Sequence, residues 1–397
     1  MFDRIRSASS KNQRTNEYLT LLAQSYEGKK LARQFSKQRS WLTKSFEASR
    51  DKEQFVRKMS DVALYSKHFI YSGSSAAISS TIADAVGQDI YQSQDGQEAV
   101  LCLLYLIDAK HKMAHTILSR FYAIARNSSS ASGKRDFLAS CKSIAAFFTL
   151  WRSALARKYP DSEYRKILQD EMCWSEDRYF TISELNKRLR TVLEDQGISV
   201  KGDWIDKASQ NLRYSTSKAL CKFVLFISSQ DTIPDPDKLG LMTVGNQNST
   251  LNYLGSSQWT SNNLETIEHV APQERTTDWD LNIYEDESYD KIGNLTLLPS
   301  KVNTSASNKG WIEKYIYYRY LSEANPSNTE NLRQVAIDNG VTLSESTMQL
   351  LGQSSFNHHI LPIVQLGENG IWDKGFIEER SYRICEIVWD RLYSWLE

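Results

Sequence analysis

At 397 residues the chain is about two to three times the length of a usual domain, so it can bury more than one core. Hydrophobic residues at 41% and charged residues at 24% exclude a disordered or collagen-like chain, and no apolar run approaches the ~18 residues of a membrane span. Lys plus Arg equals Asp plus Glu at 48 each, so the whole chain lacks the basic excess of many nucleic-acid binders.

The N-terminal Met1 to Arg6 stretch runs into polar residues without an apolar core, so no secretory leader is read and a cytoplasmic protein is expected. Residues 1–60 carry fourteen Lys or Arg against six acids, a local net of +8 that suits either phosphate tracking or a solvated helical face. Gly (17) and Pro (7) are sparse, and only Pro160 precedes residue 234, which favours helix. Apolar residues at Leu103, Ile107, Ala114, Ile117, Phe121 and Ile124 repeat at helical spacing and predict one long core helix over 98–126. After the breaker Asn127 to Gly133, Phe137, Cys141, Ile144, Phe148, Trp151 and Leu155 predict a second helix, antiparallel to the first. Similar periodicity at 51–66, 162–172, 183–195 and 213–228 makes 1–228 an all-α region. His111 and His115 have the i, i+4 spacing of two metal ligands but lack the adjacent Glu of a metalloprotease motif, so they read as ordinary helix surface. The cysteines, Cys102, Cys141, Cys173, Cys221 and Cys385, are odd in number and form no C-x-x-C pair, which argues against disulfides and cysteine zinc sites.

Composition changes at Ser229. Pro234, Pro236 and many Gly, Asn, Ser and Thr predict a long loop over 229–263. Two short strands follow, 264–271 and 292–298, then a helix over 307–321, and the tail 322–397 returns to helix, ending on Ile377, Ile384, Val388, Leu392 and Trp395. The expected fold is mainly α: a helical region at 1–228, a ββα unit at 264–321 and a helical tail.

The chemistry concentrates in that unit. Glu268 and His269 sit side by side at a strand end just before Pro272, and alternation aims them in different directions. Gly293-Asn294-Leu295-Thr296-Leu297-Leu298 and Asn303 follow in order. Strand, loop, strand and helix can bring oxygen ligands together on one hard divalent cation, and a neutral imidazole beside it can deprotonate water.

These residues resemble the HNH, or ββα-metal, nuclease superfamily. More narrowly, Glu268-His269-x-x-Pro272-Gln273, Gly293-Asn294-Leu-Thr-Leu-Leu298, Asn303 and Ser307-Asn308-Lys309-x-Trp311-x-x-Lys314 are similar to the C-terminal nuclease domain of GmrSD-type modified-DNA restriction systems. Phe376-Ile377-x-x-Arg380 with Val388-Trp389 is similar to that family's closing helix, and the resemblance covers roughly 205–397. It implies His269 as general base, Glu268 and Asn303 as metal ligands, Asn294 as the residue that holds the histidine and its loop, and Lys309 and Lys314 as contacts to the scissile phosphate. With Asn303 where the superfamily often has His, only one ligand is charged, which suits Mg²⁺ or Mn²⁺ rather than zinc. Asp95-Gly96-Gln97 is similar to part of a nucleotide-binding motif of the same systems, but no Arg completes it and a helix N-terminus is expected there. No G-x-x-x-x-G-K-[ST] loop exists. The resemblance therefore implies a metal-dependent DNA endonuclease, the nuclease subunit of a restriction or anti-phage system, working with a separate nucleotide-hydrolysing partner. The alternative is a non-catalytic module that docks DNA or a partner.

Overall fold

The computed structural model describes residues 8–71, 74–128, 131–245, 252–276, 278–325, 328–352 and 356–397. The N-terminal Met1 to Arg6 stretch, part of the 127–133 breaker and part of the 229–263 loop lie outside the described residues. Helix makes up 67% of the structure and strand 4%, so the chain is mainly α. No described helix is long and apolar enough to cross a membrane. Two compact units form: residues 1–151, 158–196 and 394–397 in the first, 152–157 and 197–393 in the second.

The first unit is helical throughout. Its elements are α1 (Ala8–Glu27), α2 (Phe35–Ala48), α3 (Lys52–Tyr65), α4 (Ser75–Val86), α5 (Gln88–Gln92), α6 (Gln94–Asp108), α7 (Ala114–Asn127), α8 (Ala131–Ala154, its last residues passing into the second unit), α9 (Asp161–Asp170) and α10 (Ile182–Asp195). The long helix expected over 98–126 is instead two helices, α6 and α7. Lys110 adopts φ 56° and the His111 N–H turns back to the Leu106 carbonyl at 3.2 Å, which ends α6. The apolar ladder runs across the break, and Leu103, Ile117 and Phe121 are all buried. The expected antiparallel packing on α8 holds for α7, with Tyr122 against Phe137 at 5.6 Å between ring centroids, whereas α6 runs alongside α8 in the same direction, with Asp95 and Glu98 paired to Lys142 and Tyr105 against Phe148 at 6.1 Å. His111 and His115 are buried rather than on the surface: His111 stacks on Phe148 at 4.0 Å and His115 Nδ1 meets the Tyr65 hydroxyl at 2.8 Å. Asp95-Gly96-Gln97 does open a helix, with the Ser93 hydroxyl capping the Gly96 N–H at 3.3 Å.

The second unit contains α11 (Lys201–Asn211), α12 (Lys218–Ser229), a two-stranded pair β1 (Thr232–Pro234) and β2 (Met242–Val244), and a second antiparallel pair from β3 (Thr266–His269) and β4 (Leu295–Leu298). A short α13 (Asn282–Glu285) lies in the connection between β3 and β4. Beyond β4 come α14 (Ser300–Ala306), α15 (Trp311–Ser322), α16 (Thr329–Asp338), α17 (Glu345–Gly352), α18 (Leu361–Val364) and α19 (Lys374–Ser394). In the β3–β4 register His269 pairs with Leu295, Glu268 with Thr296, Ile267 with Leu297 and Thr266 with Leu298. All four β4 residues are buried, so this strand has no solvent face.

The helix expected over 307–321 begins at Trp311 as α15, and a separate short helix, α14, precedes it. Ser307 takes φ 42° and interrupts the chain between α14 and α15, so Asn303 lies inside a helix rather than before one. Trp311, Lys314, Tyr315, Tyr318 and Leu321 recur at three- and four-residue spacing along α15 and are all buried. Aromatic anchors extend this core, since Trp311 stacks with Trp372 at 5.8 Å and meets Trp279 edge-on at 6.5 Å.

Candidate functional site

The β3–β4 pair sorts the candidate residues by face. Thr266 and Glu268, two apart on β3, project to one side, and Ile267 and His269 to the other. Asn303 from α14 reaches the Glu268 side: its Nδ2 donates to Thr266 Oγ1 at 2.9 Å and to the Ile267 carbonyl at 3.0 Å. α15 supplies the rest of this face, where Lys314 Nζ donates to Glu268 Oε1 at 2.7 Å and to the His269 carbonyl at 2.7 Å, and the Tyr318 hydroxyl donates to Glu268 Oε1 at 3.3 Å.

Lys314 is fully buried and Glu268 is 3% exposed. Burial raises the Glu268 carboxyl above its ordinary range and lowers the Lys314 ammonium below its own, while their mutual attraction opposes both shifts. This corrects the expectation that Lys314 contacts the scissile phosphate, because its ammonium is sealed inside the unit on two protein oxygens. Lys309 lies half-exposed in the link between α14 and α15 and pairs with Glu313. A half-exposed i, i+4 pair of this kind contributes little to stability.

His269 faces away from that cluster. Its ring meets Tyr214 edge-on at 4.7 Å, in the segment between α11 and α12, and the Lys218 ammonium lies 4.8 Å from the Tyr214 ring centre. That segment is pinned to the β3–β4 connection by Tyr214 N–H to the Asp290 carbonyl at 3.0 Å and Ile292 N–H to the Leu212 carbonyl at 2.9 Å. Burial, with Lys314 and Lys218 adding to it, lowers the His269 pKa to about 4, so the imidazole is neutral at pH 7. Its Nε2 is buried with no hydrogen-bond partner among the described residues. In a neutral imidazole this orphaned nitrogen can accept a proton when Nδ1 carries the ring hydrogen.

Asn294 fixes the strand end. Its Oδ1 accepts from the Ala271 N–H at 2.8 Å and from Trp372 Nε1 at 2.9 Å, and its Nδ2 donates to the Ala271 carbonyl and the Tyr289 carbonyl, both at 2.7 Å. The bonds to Ala271 hold the turn two residues after His269. At the neighbouring Gly293 a Cβ would collide with the Ile377 carbonyl and Ser381 of α19. Arg380 of the same helix donates to the Gly293 carbonyl at 2.5 Å and the Leu295 carbonyl at 3.0 Å, and Ser381 Oγ accepts from the Gly293 N–H at 3.0 Å. The Ile377-x-x-Arg380 motif therefore closes the unit by gripping the start of β4. His359, which has no chemical partner evident in the sequence, braces the same strand through Nε2 and the Leu297 carbonyl at 2.8 Å, while its Nδ1 meets Tyr253 at 2.9 Å.

Tyr214 and Lys218 escape the sequence reading, which places both inside a continuous helix over 213–228. The helix starts only at Lys218, capped by the Ser217 hydroxyl, and the residues before it form the wall beside His269. Trp372 and Tyr318 are likewise hidden in sequence as ordinary aromatic core.

Oxygen donors on the Glu268 face, a carboxylate and an amide, are the chemistry that a hard cation selects. Among the described residues no group of three or more His, Cys, Asp and Glu is placed to hold a metal ion. A cation held by Glu268 and Asn303 would have to compete with Lys314 and Tyr318 for Glu268 Oε1 and would keep most of its own waters.

Residues 206–387 match the model of the C-terminal domain of GmrSD restriction endonucleases. The second unit is similar to that domain. The motifs around Glu268 and Asn294 and the Phe376 to Arg380 stretch lie within the match, Val388-Trp389 falls just beyond it, and no curated protein matches the chain.

Proposed function

We propose that the chain is an HNH-type DNA endonuclease that hydrolyses phosphodiester bonds as the cytoplasmic nuclease subunit of a prokaryotic restriction or anti-phage system. The observation that carries this reading is the buried, unpartnered Nε2 of neutral His269, set at a strand end that Asn294 locks in place, inside the stretch similar to the GmrSD C-terminal domain. His269 Nε2 accepts a proton from the attacking water, and Asn294 keeps the ring and its turn from drifting as the charge develops. On the face of β3 opposite His269, Glu268 and Asn303 would hold Mg²⁺ or Mn²⁺, which would supply charge stabilisation to a phosphate that lies across the strand end and so meets both faces. For that, Glu268 exchanges part of its bond to Lys314. Lys309, released from Glu313, steadies a phosphate oxygen.

The substrate is DNA, modified or of phage origin, and a separate nucleotide-hydrolysing subunit switches the nuclease on. Residues 264–294 hold nine acids against Arg275 and Lys291, a net of −7 that repels a polyanion until metal or a basic partner offsets it. A second reading, a module that docks DNA or a partner without cutting, draws on the buried Glu268–Lys314 pair, which is what a purely structural strand–helix contact would carry. A nicking assay on plain and modified plasmid with Mg²⁺ or Mn²⁺, with and without the genomic neighbour and nucleotide, separates them. Cleavage that disappears in His269→Ala supports the nuclease, and none under any condition supports the module.

A further inference from the structure

The first unit carries a strongly charged surface that the proposed chemistry leaves unused. Helix α2 buries Gln38 and Trp41, with Leu42 and Ser45 half-buried beside them, and its remaining residues are exposed. At 100° per residue, the outward arc has Ser36, Ser40 and Thr43 along its middle, Lys37 and Lys44 on one edge, and Arg39 on the other edge with Phe35 and Phe46. Lys37 and Lys44 are two turns apart, about 10 Å along the axis. Arg33 precedes the helix and Arg50 follows it, both exposed. Between residues 33 and 50 these five cations face one acid, Glu47, which sits on the last turn of the same arc. None of the five makes an ion pair with a described residue, whereas Arg57 nearby is paired with Glu53 and Lys29 with Glu27.

Cations left unpaired, on both edges of a hydroxyl stripe, with an exposed phenyl near each end of the helix, form a surface for a phosphate backbone. A membrane-binding helix would show a continuous apolar face outward, and α2 turns Trp41 and Leu42 inward. Resting on the DNA-nuclease reading for the identity of the polyanion, we propose that the outer face of α2 binds the sugar-phosphate backbone of duplex DNA without reading sequence, through Lys37, Arg39 and Lys44 with Arg33 and Arg50 at its ends.

The test is fluorescence anisotropy with a labelled duplex of about 25 base pairs in EDTA, where cleavage cannot interfere, on the full chain at several salt concentrations. In Lys37→Gln/Arg39→Gln/Lys44→Gln, affinity at low salt should fall by about tenfold or more, and the slope of log affinity against log salt should flatten by about 2 to 3, close to 0.9 for each phosphate no longer neutralised. Lys187→Gln, an exposed cation on α10, should change neither. Circular dichroism and Tm should stay as in the wild type, since the three side chains are exposed. Equal affinity and slope in the triple variant, or no binding by the wild type at low salt, would overturn the proposal. A single-stranded RNA of the same length bound more tightly than the duplex would overturn the choice of partner. Because nothing in this assay depends on cleavage, its failure is distinct from failure of the nuclease reading, which the His269→Ala nicking assay decides.

Discussion

Lys314 Nζ lies 2.7 Å from Glu268 Oε1 with the lysine fully buried, so the residue beside the candidate base is neutralised from inside the unit. Removing one partner of such a pair strands the other charge in a low-dielectric core, at a cost of about 3–5 kcal/mol. Lys314→Ala should therefore lower stability by about that much in chemical denaturation, and Lys314→Met less, because it keeps the stem's packing. An unchanged denaturation midpoint with weakened DNA binding would instead make Lys314 a phosphate contact.

Asn294→Ala should reduce both stability and turnover. It leaves the Ala271 and Trp372 N–H groups without their shared acceptor, at about 1–3 kcal/mol for each buried donor. Turnover should fall with little change in metal dependence, since the side chain holds backbone rather than the ion. A metal titration and a melt on the same preparation check the two parts.

Glu268→Ala and Asn303→Ala should raise the Mg²⁺ or Mn²⁺ concentration needed for half-maximal cleavage more than they change DNA affinity. Asn303→Asp is the informative companion, since it restores an oxygen donor and adds charge while losing the amide bonds to Thr266 and Ile267. An unchanged metal requirement in all three variants would remove both residues from the proposed metal site.

Acid should destabilise each unit through a buried histidine. Burial lowers His115 in the first unit and His359 in the second from the ordinary 6.5 to about 4. The unfolded chain thus binds protons at these sites between about pH 6.5 and 4 while the folded chain does not, so stability falls as pH drops through that window and is fully present above it. At about pH 5 each contributes a loss of about 2 kcal/mol. Urea denaturation at about pH 7.5 and about pH 5 should show it, and the loss should shrink in His115→Gln and His359→Gln.

How far the sequence reveals this molecule depends on the kind of signal. The order of motifs from Glu268 to Arg380 and the inward ladder of α15 are legible because strand alternation and helical spacing survive in any context. The breaks at Lys110 and Ser307 are not, because each is a single left-handed residue of a type that usually takes ordinary conformations. Apolar periodicity also cannot say whether Lys314 points outward: its two neighbours in space, Glu268 and the His269 carbonyl, lie 46 and 45 positions away. Tyr214 shares that difficulty, as its place beside His269 follows from pairing of the 212–215 segment with 290–292 rather than from local pattern.

The most direct test of the nuclease reading is plasmid nicking by wild type and His269→Ala side by side, each with Mn²⁺, the genomic neighbour and nucleotide, after circular dichroism has shown both folded. Loss of a general base costs about 10²- to 10⁴-fold in rate. The expected result is cleavage by the wild type and a loss of that size in the variant; near wild-type cleavage by folded His269→Ala would contradict it.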